Sequence, residues 1–483
     1  MRAPIILRIV GLLLMLFSVS MLTPLPVSLY FGDGNWHVFV LSALITLGTG
    51  ALLWHPFRND TREMRLRDGF IVTFAFWAVL GAFGSLPLLI GAEPQMGFTD
   101  AMFEAMSGLT TTGATVLTGL EHLPPSILIY RQQLQWLGGM GIIVLAVAVL
   151  PMLGVGGMQL YRAEVPGPVK DTKLTPRITE TAKALWYIYL TITVACAVAY
   201  WAAGLSVFDA VAHSFSTVAI GGYSTYDASF AHFDSAAVHL VGVVFMFIAG
   251  INFSLHFLAW RSVSLANYLR DPEFRAYCLF LGAVFTIVLI LLLAGGVYQS
   301  FGDAALRGVF QVVSVATTTG FTSDDFSLWP GMLPALLILT SFVGGCAAST
   351  AGGMKVIRWL LIFKQGSREL VRLVHPAAEI PVKLGLRPVP GRVVEAVWGF
   401  FSVYILVATT MLLVFLATGL DQVSAFSAVA ATLNNLGPGL GEVAGGFHTV
   451  SDVGKWMGIV GMLLGRLEVF TVLVLITPAF WRR

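Results

Sequence analysis

The chain has 483 residues, of which 57% are hydrophobic and only 11% are charged, and its formal net charge is +2. A soluble protein carries roughly a quarter of its residues as Asp, Glu, Lys and Arg, so this composition leaves too little polar surface for an aqueous globule. The net charge gives no indication of nucleic-acid binding, and we expect none. The mean hydropathy of +0.83 indicates a protein whose solvent is the lipid bilayer.

Apolar runs of about twenty residues have the length that crosses a bilayer as a helix. Because backbone groups in lipid must be hydrogen-bonded within their own segment, we predict an all-α polytopic membrane protein. The ten predicted spans are 9–31, 36–56, 70–92, 131–153, 184–204, 236–259, 276–298, 332–362, 394–418 and 455–480. The first is too long for a signal peptide and lacks a convincing cleavage site.

The distribution of Lys and Arg predicts the orientation of these spans. With a cytoplasmic N-terminus, 24 of the 28 Lys and Arg residues fall in segments on the cytoplasmic side. Cytoplasmic segments of membrane proteins carry such an excess of positive charge. We therefore predict a multi-pass protein with both termini in the cytoplasm.

Four shorter apolar stretches lie between predicted spans, and each is followed by a turn that contains glycine. They begin at Asp100, Asp209, Asp303 and Asp421, and their turn glycines are Gly113, Gly222, Gly320 and Gly437. We interpret each Asp as an N-cap and each stretch as a re-entrant half-helix, because about a dozen residues cannot span a bilayer. The distances from Asp to glycine predict that the third and fourth half-helices are about one turn longer than the others.

These four units predict a cation site. Half-helices that end inside the membrane direct the negative ends of their dipoles towards one central point. Carbonyl oxygens around that point can replace the hydration shell of a large monovalent cation, and glycine permits the positive φ that turns them inward. One such turn is more often an ordinary hairpin, but four at equivalent places favour a pore.

The predicted organisation is therefore four pseudo-symmetric helix–pore helix–helix repeats preceded by two extra helices, since internal repetition marks one structural unit used several times. The two extra N-terminal helices occupy residues 1–68, and the repeats occupy 69–155, 182–262, 275–365 and 390–483.

The turn motifs resemble the Trk/Ktr/HKT superfamily of potassium transporters, most closely its TrkH/TrkG branch, which has two extra N-terminal helices. They are TTTGAT at 110–115, AIGGYS at 219–224, TTTGFT at 317–322 and NNLGPG at 434–439. The resemblance implies that K⁺ is held by backbone carbonyls of Thr111, Thr112, Ile220, Gly221, Thr318, Thr319, Asn435 and Leu436. Relatives that prefer Na⁺ have Ser in place of the first filter glycine, so Gly113 favours K⁺.

The resemblance also implies potassium uptake across the bacterial inner membrane by a homodimer, gated by a cytoplasmic TrkA-type nucleotide-binding subunit. No Walker motif or strand-borne GxGxxG is present. We therefore expect no cofactor in this chain besides K⁺ in the filter, with nucleotide bound to the partner subunit. The basic loops 162–183 and 355–392 are either docking surfaces for that subunit or charges that only fix the topology.

One predicted span contains a run of small residues, GGCAASTAGG at 344–353. Such a run weakens a helix, and the resemblance implies an intramembrane gating loop here; close helix packing is the alternative. Arg466 is the only Lys or Arg that we predict deep inside a span, where it either repels cations at the gate or forms a buried ion pair. The predicted gate residues are Gly344, Gly345, Ser349, Thr350, Gly352, Gly353 and Arg466.

Other functions remain as alternatives. The pathway could pass K⁺, Na⁺ and NH₄⁺ with little selectivity, and the sequence leaves open whether transport is channel-like or coupled to H⁺ or Na⁺. A membrane enzyme is a remote alternative, because it would need His, Asp or Glu residues converging at one depth. The nine His residues are scattered and form no catalytic motif, so we do not expect an enzyme.

Overall fold

The protein is mostly helical. A computed structural model describes residues 3–60, 66–144, 178–385 and 387–482. Its α-helices are α1 (Ala3–Ser20), α2 (Leu25–Phe31), α3 (Trp36–Trp54), α4 (Leu66–Gly84), α5 (Leu86–Ile90), α6 (Phe98–Leu109), α7 (Pro125–Val144), α8 (Ile178–Ala202), α9 (Val207–Ala219), α10 (Ala236–Ala249), α11 (Phe253–Ser262), α12 (Ala266–Arg270), α13 (Pro272–Ala294), α14 (Phe301–Ala316), α15 (Leu333–Thr340), α16 (Val356–Val374), α17 (Gly391–Ala417), α18 (Gln422–Leu433), α19 (Asp452–Arg466), α20 (Glu468–Ile476) and α21 (Pro478–Trp481). Strands β1 (Lys383–Leu384) and β2 (Arg387–Pro388) form an antiparallel pair.

Several helices are long and apolar enough to cross a bilayer. Among the described residues, six segments meet this criterion, and up to eight do if two bent helix pairs each count as one span. The six are Ala3–Phe31, Trp36–Phe57, Arg67–Ile90, Lys183–Ala202, Pro272–Ala294 and Gly391–Ala417. The chain is therefore a multi-pass membrane protein. Part of the predicted span 131–153 and most of the basic loop 162–183 lie outside the described residues.

Two predicted spans are bent rather than straight. The chain turns by 92° between α10 and α11, where the Asn252 side chain accepts the amide of Ser254 and starts a new helix. It turns by 114° between α19 and α20, where Glu468 has a φ of 54° that an α-helix cannot continue. The prediction of two continuous spans does not include these bends, because hydropathy does not report backbone dihedral angles.

The four short helices, α6, α9, α14 and α18, form a closed circle. Each packs between a helix that comes before it in the chain and one that comes after it: α4 and α7, α8 and α10, α13 and α15, and α17 and α19. Each also packs against a helix of the neighbouring group, α9 on α7, α14 on α10, α18 on α15 and α6 on α19. The last of these contacts joins the fourth group to the first.

Long and short helices differ in what they expose. The long helices α13 and α17 present large apolar side chains at the surface, such as Leu279 (74% exposed) and Leu406 (66% exposed). By contrast, every residue of α6 from Ala101 to Leu109 is buried. An exposed apolar surface of this extent suits lipid rather than water. Helix α6 is therefore enclosed by its neighbours from Ala101 onwards, and the other short helices are likewise buried towards their carboxyl ends.

The capping of the short helices differs from the prediction. Only Asp421 is an N-cap; Gly97, Ser206 and Ser300 cap the other three helices, and Asp100, Asp209 and Asp303 lie in the first turns. In the first turn a carboxylate interacts favourably with the helix dipole, although it is not the N-cap residue. The different position of each Asp relative to its N-cap also explains the helix lengths. Helix α14 has 16 residues and is longer than α6 and α9, as predicted. Helix α18 has only 12 residues, contrary to the prediction.

Candidate functional site

The four glycine turns, residues 111–113, 220–222, 318–320 and 435–437, share one backbone conformation. In each turn both the first residue and the glycine have positive φ. The values are 52° and 83° for Thr111 and Gly113, 54° and 79° for Ile220 and Gly222, 66° and 84° for Thr318 and Gly320, and 54° and 97° for Asn435 and Gly437. The turns therefore form four copies of one local structure, despite their different sequences.

Each turn ends its short helix through a Schellman motif. In this motif a left-handed residue follows the helix, and the next amide donates to a carbonyl five residues earlier. The four bonds are Thr112 N to Ser107 O at 2.8 Å, Gly221 N to Ser216 O at 2.8 Å, Thr319 N to Ser314 O at 2.7 Å and Leu436 N to Ala431 O at 2.9 Å. The chain thereby reverses at the carboxyl end of each helix.

Three of the left-handed residues are β-branched. Thr111, Ile220 and Thr318 occupy a region that such residues rarely adopt. Each costs roughly 1–2 kcal/mol relative to a right-handed conformation. Strain of this kind persists where surrounding contacts determine the backbone, and it clusters at functional sites. The turns therefore mark a candidate site on grounds independent of the sequence motifs.

The turns meet in a closed ring. A Cβ atom built on Gly113 would lie less than 3.0 Å from the carbonyl oxygen of Gly221, a separation that real Cβ atoms essentially never show. Equivalent contacts join Gly222 to the carbonyl of Thr319, Gly320 to that of Leu436, and Gly437 to that of Thr112. Each turn glycine thus contacts the carbonyl oxygen of the residue that precedes the glycine of the next turn. The fourth glycine contacts the first turn in the same way, which closes the ring. The structure brings all twelve predicted filter residues together.

Side chains connect the turns to the surrounding helices. Asn435 Nδ2 donates to Thr112 Oγ1 at 2.9 Å and to the carbonyl of Met462 at 3.0 Å. Gln135 Nε2 donates to the carbonyl of Gly221 at 2.6 Å, so one predicted ligand already accepts a hydrogen bond. Gln135 is not among the predicted site residues, although a polar amide within an apolar span is a signal that can identify it.

A non-helical segment, which we call the central loop (residues 341–355), packs against the carboxyl ends of the short helices. The amide of Gly352 donates to Thr318 Oγ1 at 2.6 Å, and the amide of Gly353 donates to the carbonyl of Asn434 at 3.0 Å. The Thr350 hydroxyl donates to the carbonyl of Val218 at 3.0 Å. The loop therefore contacts the third and fourth turns and the end of the helix before the second turn.

The predicted gate residues of the central loop differ in their roles. Gly344 packs against Gly352, and a Cβ on either would meet backbone. Gly345 accepts the amide of Val356 at 3.1 Å, and Ser349 donates to the carbonyl of Cys346 at 2.6 Å. These internal contacts fold the loop, whereas Thr350, Gly352 and Gly353 connect it to the turns.

Arg466 completes this arrangement at the first turn. It is the last residue of α19, at the 114° bend rather than mid-helix as predicted. Its Nη1 donates to the carbonyl of Thr350 at 3.2 Å, and its Nη2 contacts Thr111 Oγ1. Among the described residues it forms no ion pair, since the nearby Glu468 instead pairs with Arg358. The guanidinium charge therefore faces neutral oxygens.

Arg466 is not the only buried basic side chain, although the others lie nearer the ends of the predicted spans. Among the described Lys and Arg residues, three others are also buried, each with an acidic partner. The pairs are Arg131–Glu104 at 2.7 Å, Arg358–Glu468 at 2.6 Å and Lys455–Asp100 at 2.6 Å. Their partners are distant in the chain, so span-by-span analysis could not recognise them.

The chemistry of the ring suits a weakly held cation. Within the described part of the chain, no cluster of three or more His, Cys, Asp or Glu residues could hold a metal ion. The oxygens at the ring are uncharged carbonyls and hydroxyls at the negative ends of four helix dipoles. Such oxygens can replace the water around a monovalent cation and still release it.

Comparisons with known proteins agree with this geometry. Residues 36–483 match the family model TrkH, described as a cation transport protein. The chain is 58% identical to the Trk system potassium uptake protein TrkH of Halomonas elongata over all of both chains, and 39% identical to TrkG of Escherichia coli, with 98% and 97% of the two chains covered. The crystal structure of the potassium transporter TrkH from Vibrio parahaemolyticus superposes with a TM-score of 0.93 at 56% identity, covering 100% of both chains. These relatives are named as transporters, and the chain is not an enzyme. It belongs to the TrkH family of cation transport proteins.

Proposed function

We propose that this chain is the pore-forming subunit of a Trk system and that it takes up K⁺ across the bacterial inner membrane. The observation that carries the proposal is the closed ring of four strained glycine turns. Relatives named as Trk potassium uptake proteins share 55–59% of their residues with the chain over nearly its whole length, which supports the choice of K⁺.

The ring is the proposed selectivity filter. K⁺ is coordinated there by the backbone carbonyls of the two residues before each glycine. They are Thr111 and Thr112, Ile220 and Gly221, Thr318 and Thr319, and Asn435 and Leu436. The left-handed first residue of each turn rotates successive peptide planes, and the glycine lets the neighbouring turn approach. Neutral oxygens bind the ion without holding it as tightly as carboxylates would.

The proposed architecture has ten spans arranged as two N-terminal helices and four pseudo-symmetric repeats. The repeats are those predicted at 69–155, 182–262, 275–365 and 390–483. The circle of contacts among α6, α9, α14 and α18 supports the fourfold arrangement. Both termini are cytoplasmic in this proposal, so the short helices enter from outside and the central loop lies on the cytoplasmic side of the filter.

The central loop and Arg466 form the proposed gate. A cation that leaves the filter inward meets the loop and a guanidinium charge. Two unit charges at 4 Å interact by about 4 kcal/mol at an effective dielectric constant of 20, enough to slow passage strongly. Opening therefore requires that the loop and Arg466 move away together, because they are hydrogen-bonded to each other.

Regulation is proposed to come from outside the chain. A cytoplasmic TrkA-type subunit binds the nucleotide, docks on the basic segments and moves the central loop, while two copies of this chain form a homodimer. Helix α16 leads directly from the loop to an exposed basic surface that includes Arg372. The other predicted docking loop, 162–183, falls largely outside the described residues.

Transport assays test the proposal. The purified complex with its nucleotide-binding subunit is reconstituted in liposomes, and radioactive rubidium uptake is driven by an outward K⁺ gradient. We expect uptake that K⁺ competes away and bi-ionic reversal potentials that favour K⁺ over Na⁺ and NH₄⁺. Equal reversal potentials would indicate the unselective alternative, and absence of uptake with the subunit and nucleotide present would overturn the proposal.

A further inference from the structure

A buried ion pair lies beside the first and second glycine turns. The guanidinium of Arg131, on α7, donates to Glu104 Oε1 through Nε at 2.8 Å and contacts it through Nη2 at 2.7 Å. Glu104 lies on the short helix α6. The two side chains are 1% and 0% exposed. Two charges are therefore held in a dry environment, where each needs the other.

Glu104 fastens the segment that follows Gly113. Its carboxylate accepts the Thr115 hydroxyl at 3.0 Å and the amide of Val116 at 3.0 Å. Arg131 Nη2 donates to the same hydroxyl at 3.1 Å. The chain leaving the first glycine turn is thereby tied to the helix that enters it, through one carboxylate.

Arg131 also reaches the segment that follows Gly222. Its Nη1 donates to the carbonyl of Ser224 at 3.4 Å, and its guanidinium carbon lies 4.2 Å from the centre of the Tyr223 ring. The Tyr223 hydroxyl contacts residues on either side of the first glycine turn: it donates to the carbonyls of Glu104 and Ala114 at 2.9 and 3.2 Å. One arginine therefore bridges two turns that adjoin in the ring.

The other turns are held differently. At the position nine residues before the turn glycine, where α6 has Glu104, the other short helices have His213, Gln311 and Ala428. His213 bonds Ser224 Oγ and the backbone carbonyl of Asp209, each at 2.9 Å, and neither polar atom of the Gln311 side chain has a hydrogen-bond partner among the described residues. In the described part of the chain, the buried pair Arg131–Glu104, which we call the clamp, thus serves the junction between the first and second turns. The third turn has instead a partly exposed pair, Arg307–Asp324 at 3.6 Å, in which Arg307 Nη1 donates to the carbonyl of Ser323 at 2.9 Å.

We infer that Arg131 and Glu104 are a positioning pair that sets the ion selectivity of the filter. The inference rests on the proposed potassium pore and names residues that tune it. The carbonyl of Gly221 meets Gly113 across this junction, so the spacing between the first and second turns depends on the clamp. Arg suits the task because its planar fork can bond in three directions at once, which the single ammonium of Lys cannot reproduce.

The charges within the clamp also matter for conduction. Arg131 carries a positive charge close to a pathway for cations, and Glu104 neutralises it locally. Replacing Glu104 by Gln keeps the shape of the side chain but leaves that charge uncompensated. We therefore expect Glu104→Gln to slow K⁺ passage as well as to relax selectivity, whereas Arg131→Gln relaxes selectivity without adding a positive barrier.

The test measures the Na⁺/K⁺ permeability ratio from bi-ionic reversal potentials in proteoliposomes that contain the full complex. The expected result is a ratio at least threefold higher in Glu104→Gln, Arg131→Gln and Arg131→Lys. The double variant Glu104→Gln, Arg131→Gln should raise the ratio by less than the product of the two single effects, because the residues act as one unit. Glu442→Gln, which removes an exposed carboxylate elsewhere, should leave the ratio unchanged.

Tyr223→Phe is the milder variant that keeps the test decisive if the charge variants do not fold. It removes one hydroxyl and should raise the ratio in the same direction by a smaller factor. Unchanged ratios in Tyr223→Phe and in every folded clamp variant, with only a lower melting temperature, would overturn the inference while leaving the potassium pore intact. A wild-type complex that shows no K⁺ preference would instead contradict the proposed function.

Discussion

Arg466 and Thr350 are joined by a hydrogen bond in which the guanidinium Nη1 lies 3.2 Å from the carbonyl oxygen. The two residues are far apart in the chain, yet this bond connects the end of α19 to the central loop. The same guanidinium contacts Thr111 in the first glycine turn. A single side chain therefore links the candidate gate to the candidate filter, and movement of one affects the other.

Replacing Arg466 by Gln is predicted to raise basal rubidium flux, measured without the nucleotide-binding subunit, at least severalfold. The substitution removes both the positive charge and the guanidinium group that is hydrogen-bonded to the central loop. Arg466→Lys keeps the charge but not the geometry, and it should fall between Gln and wild type. Arg392→Gln, at an exposed site, is the control. Equal or lower flux in correctly folded Arg466→Gln protein would remove Arg466 from the gate.

Replacing Gly352 by Ala is predicted to displace the central loop. A Cβ on Gly352 would approach the carbonyl of Asn434 and the hydroxyl of Thr318, so the loop must withdraw from the turns. We expect higher basal flux, read in the same assay. Gly366→Ala on α16 is the matched control, because nothing lies within 4 Å of its Cβ. Similar fluxes in the two variants would show that the contact with the turns does not keep the pore closed.

Replacing Gly113 by Ser is predicted to admit more Na⁺. Its side chain would collide with the carbonyl of Gly221 and move one of the proposed ligands. Gly119→Ser is a close control, since Gly119 also has positive φ, 69°, but has open space around it. The Na⁺/K⁺ permeability ratio from reversal potentials should rise only for Gly113→Ser. A ratio that stays at the wild-type value would refute the carbonyl ring at this position.

Replacing Asp421 by Ala is predicted to lower the melting temperature of the protein. Asp421 caps α18 and accepts the amides of Val423 and Ser424 at 3.0 and 3.3 Å. Asp303→Ala is the comparison, because Asp303 lies inside the first turn of α14, which Ser300 caps. We expect the smaller shift for Asp303→Ala in a fluorescence melting experiment. The reverse order would contradict the capping seen in the structure.

The sequence predicted best what is encoded locally. Thr-Thr-Thr-Gly at 110–113 and 317–320 signalled helix ends with positive φ because few residues other than glycine adopt it. The same local reasoning identified Asp421 correctly but placed the other N-caps wrongly. In α9 and α14, Asp and Ser are both good caps and stand three residues apart. A single sequence does not say which of two nearby candidates is the N-cap of the helix.

What the sequence could not supply was contact between distant segments. Gly113 and Gly437 adjoin in the ring although more than half of the chain separates them. The same holds for Arg466 and Thr111, and hydropathy placed Arg466 in mid-span because it cannot detect the bend that follows it. The internal repetition indicated a common axis, but only three-dimensional packing identifies which oxygens face which glycines.

Ion binding at the ring can be observed in crystals of the protein soaked in Rb⁺ and measured by anomalous scattering. We predict peaks on the axis of the ring, within coordination distance of the carbonyl oxygens of Thr112, Gly221, Thr319 and Leu436. The peaks should weaken when K⁺ competes. Rb⁺ density that lies elsewhere, or an empty ring in protein that still transports Rb⁺, would contradict the proposed filter.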